Sequence, residues 1–137
     1  MRILVIAAVL LGFIAPAAAQ SEADRSAVQA VIGQQLDAFL SDDAATAYSF
    51  AAPNIQTMFP TQDRFMELVQ QGYQPVYRSK SRSFGELKET AMGLEQTVDL
   101  VDAAGEFWTA VYTLQRQPDG SWKISSCVLV KKPGQVA

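Results

Sequence analysis

The chain has 137 residues, 49% of them hydrophobic and 18% charged, with a net charge of −3 and no histidine. That is the composition of one ordinary globular domain; it excludes the commonest general base and metal ligand and argues against nucleic acid as a partner. A single cysteine, Cys127, excludes an internal disulfide, so stability has to come from the core.

Met1 and Arg2 precede an apolar run from Ile3 to Ile14, and Pro16-Ala17-Ala18-Ala19 supplies the small residues that a signal peptidase needs. Residues 1–19 therefore read as a cleaved signal peptide and residues 20–137 as one domain delivered to the periplasm or secreted. An uncleaved anchor is the competing reading, because the stretch approaches the roughly 20 apolar residues of a membrane span. Pro16, the short run and the Ala-x-Ala exit favour removal. No cysteine follows the cleavage point to carry a lipid, so no stable membrane anchor is expected to remain.

From Ser21 onward, Val28, Ile32, Leu36 and Phe39 recur at helical spacing, with Val31 and Leu40 widening the stripe. Ser21, Glu22 and Asp24 are expected at the start of this helix, where a cap and negative charge offset the unpaired amides. Gly33 costs roughly 1 kcal/mol against alanine there, which points to a neighbour packed close. A second short helix is predicted over Ala44–Ala51, capped by Asp42 or Asp43 and stopped by Pro53. Asn54–Phe59 alternates as a short strand would, and Pro60-Thr61 opens a third helix that ends at Gly72.

After Gly72 the pattern turns to period two. Tyr73–Phe84, Leu87–Thr90 and Gly93–Val101 read as strand, with a turn over residues 102–105. Glu106–Val130 follows as two β-rich runs around Pro118-Asp119-Gly120, the strongest hairpin signal in the chain. Alternation groups Trp108, Ala110, Tyr112 and Leu114 on one face, and Trp122, Ile124, Ser126, Val128 and Val130 on one face of the next arm. The two tryptophan-bearing faces are expected to form the core, with Trp122→Ala costing about 3–5 kcal/mol. Helices first and consecutive antiparallel strands after them specify an α+β domain: N-terminal helices packed on a curved antiparallel sheet of four to six strands.

That order, with the segment Asp119-Gly120-Ser121-Trp122-Lys123-Ile124, resembles the NTF2-like (cystatin-like α+β) superfamily. The combination of Pro53, Met58-Phe59-Pro60, Phe65-Met66, Gly72-Tyr73, Pro75-Val76-Tyr77-Arg78 and Phe84-Gly85-Glu86-Leu87 is similar to a family of small exported bacterial proteins with no assigned activity. The superfamily resemblance implies a cone-shaped sheet with a hollow used for cofactor-free isomerisation or dehydration, for ligand binding, or not at all where the sheet only dimerises. Fold alone does not choose among these.

Cofactor-free catalysis in such a hollow needs a carboxylate base and a hydroxyl donor. Asp37, with Tyr48, Tyr73, Tyr77 and Tyr112 as donors, is the available set, although Asp37 follows the stripe residue Leu36 and is expected to face water. In Tyr77–Ser83, alternation places Arg78, Lys80 and Arg82 along one side of a strand. They read as an edge protected against aggregation or, with Tyr73 nearby, as an anion site. Asp42-Asp43 lacks the spaced oxygens of a calcium loop, Cys127 lacks a histidine partner, and no phosphate loop or zinc spacing is present. Neither metal nor cofactor is expected. The residues favour a non-catalytic exported domain that binds a small apolar or amphipathic ligand or a protein partner, with a homodimer through the sheet as one form of the latter. A cofactor-independent isomerase, lyase or hydrolase is the alternative.

Intact-mass measurement of the exported protein is expected to show a chain beginning at Gln20. A chain that still carries Met1 identifies the anchor reading instead.

Overall fold

The computed structural model describes residues 17–133, with side chains from Ser21 onward. The signal-peptide assignment falls mainly on residues 1–16, outside that range. Among the described residues five helices precede four strands: α1 (Ala17–Leu40), α2 (Ala44–Ser49), α3 (Pro53–Met58), α4 (Gln62–Gly72), α5 (Gln74–Tyr77), β1 (Ser81–Thr90), β2 (Gly93–Val101), β3 (Phe107–Arg116) and β4 (Trp122–Lys131). The strands form one antiparallel meander in the order β1-β2-β3-β4, and the helices pack against this curved, open sheet. The fold is α+β.

The core joins the α1 stripe to the inner sheet face. Val28, Ile32, Leu36 and Phe39 are buried in one cluster with Val98 and Leu100 of β2 and with Ala110, Tyr112 and Leu114 of β3. Each large apolar side chain removed from water here stabilises by about 1.5–3 kcal/mol, so this seam alone outweighs any surface ion pair.

The hairpin forms where expected. Gly120 has φ +87°, the amide of Gln117 donates to the Ser121 carbonyl at 2.7 Å, and the Asp119 carboxylate accepts from the Ser121 amide at 2.9 Å. The preceding turn is tied by Asp102, whose carboxylate accepts from the amides of Ala104 and Glu106 and from the Trp108 indole, each at 2.9 Å.

Four local expectations are corrected. α1 is already helical at Ala17, the first described residue, so Ser21 lies within the helix and not at its cap; the strong helix formers Ala17-Ala18-Ala19 carry the backbone through. Residues 54–59 are not a strand. Pro53 sits at the first turn of α3 with its φ already suited to a helix, and the Thr57 hydroxyl bonds back to the Pro53 carbonyl at 2.9 Å. Residues 73–80 are not a strand either: Pro75, Val76 and Tyr77 are buried in succession in α5, which strand alternation cannot do, and β1 starts only at Ser81. The fourth correction lies in β4, where the register slips between Thr113 and Leu114. Leu114 faces Ile124 while Thr113 faces Ser126, leaving Ser125 as the extra residue of a bulge.

Beyond that bulge the faces exchange. Cys127 opposes Tyr112 and Leu129 opposes Ala110 on the inner side, while Val128 and Val130 are 55% and 51% exposed on the outer side. Trp122 is half-buried at the strand's start with Arg116 4.9 Å over its ring. It is therefore no buried anchor, and its truncation costs less than the full core value expected from sequence.

A Cβ added at Gly33 would meet the Arg82 guanidinium at 3.8 Å, an ordinary contact, so no close approach demands glycine. At Gly93 the backbone has φ +135° and a Cβ would lie 2.3 Å from the Leu114 carbonyl. Urea denaturation is expected to show Gly33→Ala stabilised by up to about 1 kcal/mol through helix propensity, and Gly93→Ala destabilised by about 2 kcal/mol or more through strain and steric clash.

Candidate functional site

The helices do not seal the inner sheet face. Between α1, the α3–α4 pair and the ends of β3 and β4 lies a pocket of about 470 Å³. Its position follows from one edge contact. The segment joining α2 to α3 docks on β4, the Ile124 amide donating to the Phe50 carbonyl and the Ala52 amide to the Ile124 carbonyl, both at 2.8 Å. Asn54 extends this tie by donating to the Ser125 carbonyl at 3.0 Å. α3 is thereby held beside the open end of the core without filling it.

The wall is mainly apolar. Phe39, Ile55, Phe59, Phe65, Val69 and Val76 line it from the helices, and Ile124 from the sheet. Met58, 65% exposed, stands at the rim. Phe39, Phe65 and Tyr48 form a chain of tilted rings with centroids 6.1 and 5.5 Å apart, which stiffens the helical side.

The polar groups on the wall are few, and its buried side-chain donors other than Tyr112 and Cys127 are engaged. Gln35 donates to the Ala47 carbonyl at 3.1 Å and the Ser125 hydroxyl to the Thr113 carbonyl at 3.1 Å. Tyr112 differs. It is buried on the pocket wall, and its hydroxyl has no hydrogen-bond partner. Cys127, its cross-strand neighbour, lies against it and its thiol interacts with the phenol, but not in a geometry that satisfies the hydroxyl. Desolvation pushes the Tyr112 phenol well above its ordinary range and the Cys127 thiol up to about 12, so both stay protonated at physiological pH. Cys127 is thus no thiolate nucleophile.

The residues named from sequence are dispersed. Asp37 lies outside the pocket, paired with Arg82 at 2.9 Å with 63% of its side chain exposed. Tyr48 donates its hydroxyl to the Phe59 carbonyl, Tyr77 donates to Asp42, and only Tyr73 and Tyr112 of the four tyrosines line the pocket. Two further carboxylates also stand apart from the pocket: Glu67 is exposed on α4, and Asp99 is held on the outer sheet face by Lys132 at 2.8 Å and Thr109 at 3.0 Å. No carboxylate therefore stands beside a tyrosine hydroxyl in this pocket.

The cation row is also broken up. Arg78 follows α5 instead of lying in a strand, and its guanidinium grips both Asp42 oxygens at 2.8 Å, donates to the Phe39 carbonyl and lies 3.8 Å over the Tyr77 ring. Arg82 turns inward to α1, and Lys80 is exposed before β1. Tyr73 remains at the pocket, remote in role from these cations. Among the described residues no group of acidic, cysteine or histidine side chains is arranged to hold a metal, and no helix is long and apolar enough to cross a membrane.

Sequence reasoning missed Gln35 and Asn54. Gln35 was detectable, since it stands seven residues after Val28 and three after Ile32, a polar side chain within an apolar stripe. Asn54 carried no signal, because its role depends on the edge contact with β4.

Residues 21–137 match a family model described as a domain of unknown function, DUF4864. The chain belongs to the DUF4864 family. No curated protein and no solved structure matches it.

In this DUF4864 chain Asp42 has φ +53° just after α1 and joins that helix to α5. The Tyr77 hydroxyl and then the Arg78 guanidinium hold its carboxyl below the ordinary 3.8. A carboxyl depressed on folding stabilises above its unfolded value, and that contribution is lost as pH falls through the folded value. Asparagine tolerates the same backbone conformation without the charge. Urea midpoints at pH 7 and in strong acid are expected to fall less between the two conditions for Asp42→Asn than for wild type, with Asp42→Asn the less stable at pH 7.

Proposed function

We propose that this DUF4864 chain is an exported, NTF2-like binding domain that holds a small apolar or amphipathic molecule between its helices and sheet, without catalysing its conversion. The observation that carries this reading is the pocket of about 470 Å³, within the range of small-molecule sites, with an apolar wall and no charged side chain among its lining residues. The alternative, a cofactor-independent isomerase, lyase or hydrolase, requires a base at the pocket, and its best carboxylate, Asp37, is engaged by Arg82 outside it. Export to the periplasm or beyond is supported by the apolar N-terminal run and its Ala-x-Ala exit, and it leaves a chain without a stable anchor.

A homodimer through the sheet is the second reading. The outer face exposes Phe107, Val128 and Val130 to an extent uncommon for large apolar side chains on adjacent strands.

Native mass spectrometry of the protein extracted gently from its own envelope tests both. A mass above that of the chain, lost on collisional activation, is the expected result, and the subunit count reads the dimer directly. Bare mass together with failure to bind the neutral dye Nile red overturns the ligand reading.

A further inference from the structure

Resting on the ligand-binding reading, the geometry points to the kind of head group the pocket accepts: we infer that it takes an apolar molecule bearing one uncharged hydrogen-bond acceptor, such as a ketone, ester or ether oxygen, held by the Tyr112 hydroxyl.

Three observations support this choice. First, the hydroxyl is the buried side-chain polar atom that has no partner among the described residues, and it belongs to a residue of the pocket wall. A buried hydroxyl left unpaired is costly, and a sheet strand can present phenylalanine at the same position without that cost. Second, the other buried side-chain donors of the wall are already spoken for, Gln35 by Ala47 and Ser125 by Thr113, and Asn54 is tied to the Ser125 carbonyl, whereas the Tyr73 and Ser126 hydroxyls are only half-buried and open to water. Third, nothing at the wall compensates an ionised head group. The lining carries no lysine or arginine, and the nearby guanidinium groups of Arg78 and Arg82 are held by Asp42 and Asp37. A carboxylate brought in would be desolvated without a counter-charge, whereas a neutral oxygen needs only the donor that is present.

Position within the pocket follows from burial. The hydroxyl is shielded from solvent, so the head group enters first and the apolar body lies toward Met58 at the rim. The hydroxyl is enclosed, with Cys127 flanking it on the pocket wall, so contact with a ligand oxygen requires that thiol to turn about its side-chain torsion.

The test uses three naphthalenes of matched shape: β-naphthyl methyl ketone, β-ethylnaphthalene and β-naphthoate, each titrated into wild type and Tyr112→Phe. Wild type is expected to bind the ketone roughly three- to tenfold more tightly than the ethyl compound, the worth of one neutral hydrogen bond, and to bind naphthoate at neutral pH weakest of all. Tyr112→Phe is expected to bind the two neutral compounds equally and, without ligand, to melt no lower than wild type. In wild type the bound ketone's carbonyl stretch is expected at lower frequency than in a hydrocarbon solvent, a readout that does not depend on the variant's folding. Equal binding of ketone and ethyl compound by wild type, an unshifted carbonyl band, or naphthoate as the tightest ligand overturns the neutral-acceptor proposal while leaving an apolar pocket in place. Failure of both neutral naphthalenes to bind overturns the ligand-binding reading itself.

Discussion

The structure depends on the contact between one face of α1 and the inner face of the sheet. A four-stranded antiparallel sheet buries one side and wets the other, and here a single stripe, Val28-Ile32-Leu36-Phe39, covers the middle of that side over β2 and β3. A helix is about 10–12 Å wide with its side chains, so one helix cannot cover the face of a curved four-stranded sheet. The remainder must be covered by short pieces. α2 to α5, none longer than 11 residues, do this, with α3 against β4 and α5 against β2.

The pocket is the residue of that arrangement. α3 is held to the edge of β4 by backbone hydrogen bonds through Phe50, Ala52 and Ile124, and only Ile55 and the following Phe59 pack against the core. A small helix anchored at its start and apolar along one side leaves space beneath it. The bulge at Ser125 decides which side chains meet this space: it turns Cys127 and Leu129 inward where a regular strand would have presented Val128 and Val130. Both features sit at the same corner of the sheet. Tyr112 lines this corner too, and a polar atom left without a partner in an otherwise satisfied interior marks a place where packing alone has not decided the residue.

Charge is arranged to keep out of this space. Arg78 and Arg82 approach α1 from the sheet side but end on Asp42 and Asp37, and Asp102 and Asp119 spend their carboxylates on turn amides. The carboxylates that a catalytic reading would need therefore serve as joints between elements. Asp42 is the clearest case, since one side chain ties the end of α1 to Tyr77 and Arg78 at the entrance to β1.

Wherever a short-range rule suffices, the amino-acid order determined the outcome by itself. The α1 stripe, the Asp119-Gly120 hairpin, the Thr61–Gly72 helix and the α+β class are all consequences of periodicity and turn chemistry, which act over a few residues. Tertiary structure alone decided the three points on which the site depends. Residues 53–58 became helix because pairing with the free edge of β4 stops at Ala51 and Ala52, where Pro53 turns the chain into a helical start. The cations at 78, 80 and 82 separated because α5 ends between them and β1 begins at Ser81, a boundary set by packing of Pro75, Val76 and Tyr77. The face exchange in β4 came from a bulge that exists only relative to β3, and no pattern within β4 records how its partner is registered. The residues of the pocket were therefore visible one by one in the chain, but their convergence required the long-range pairing of β3, β4 and the α2–α3 link.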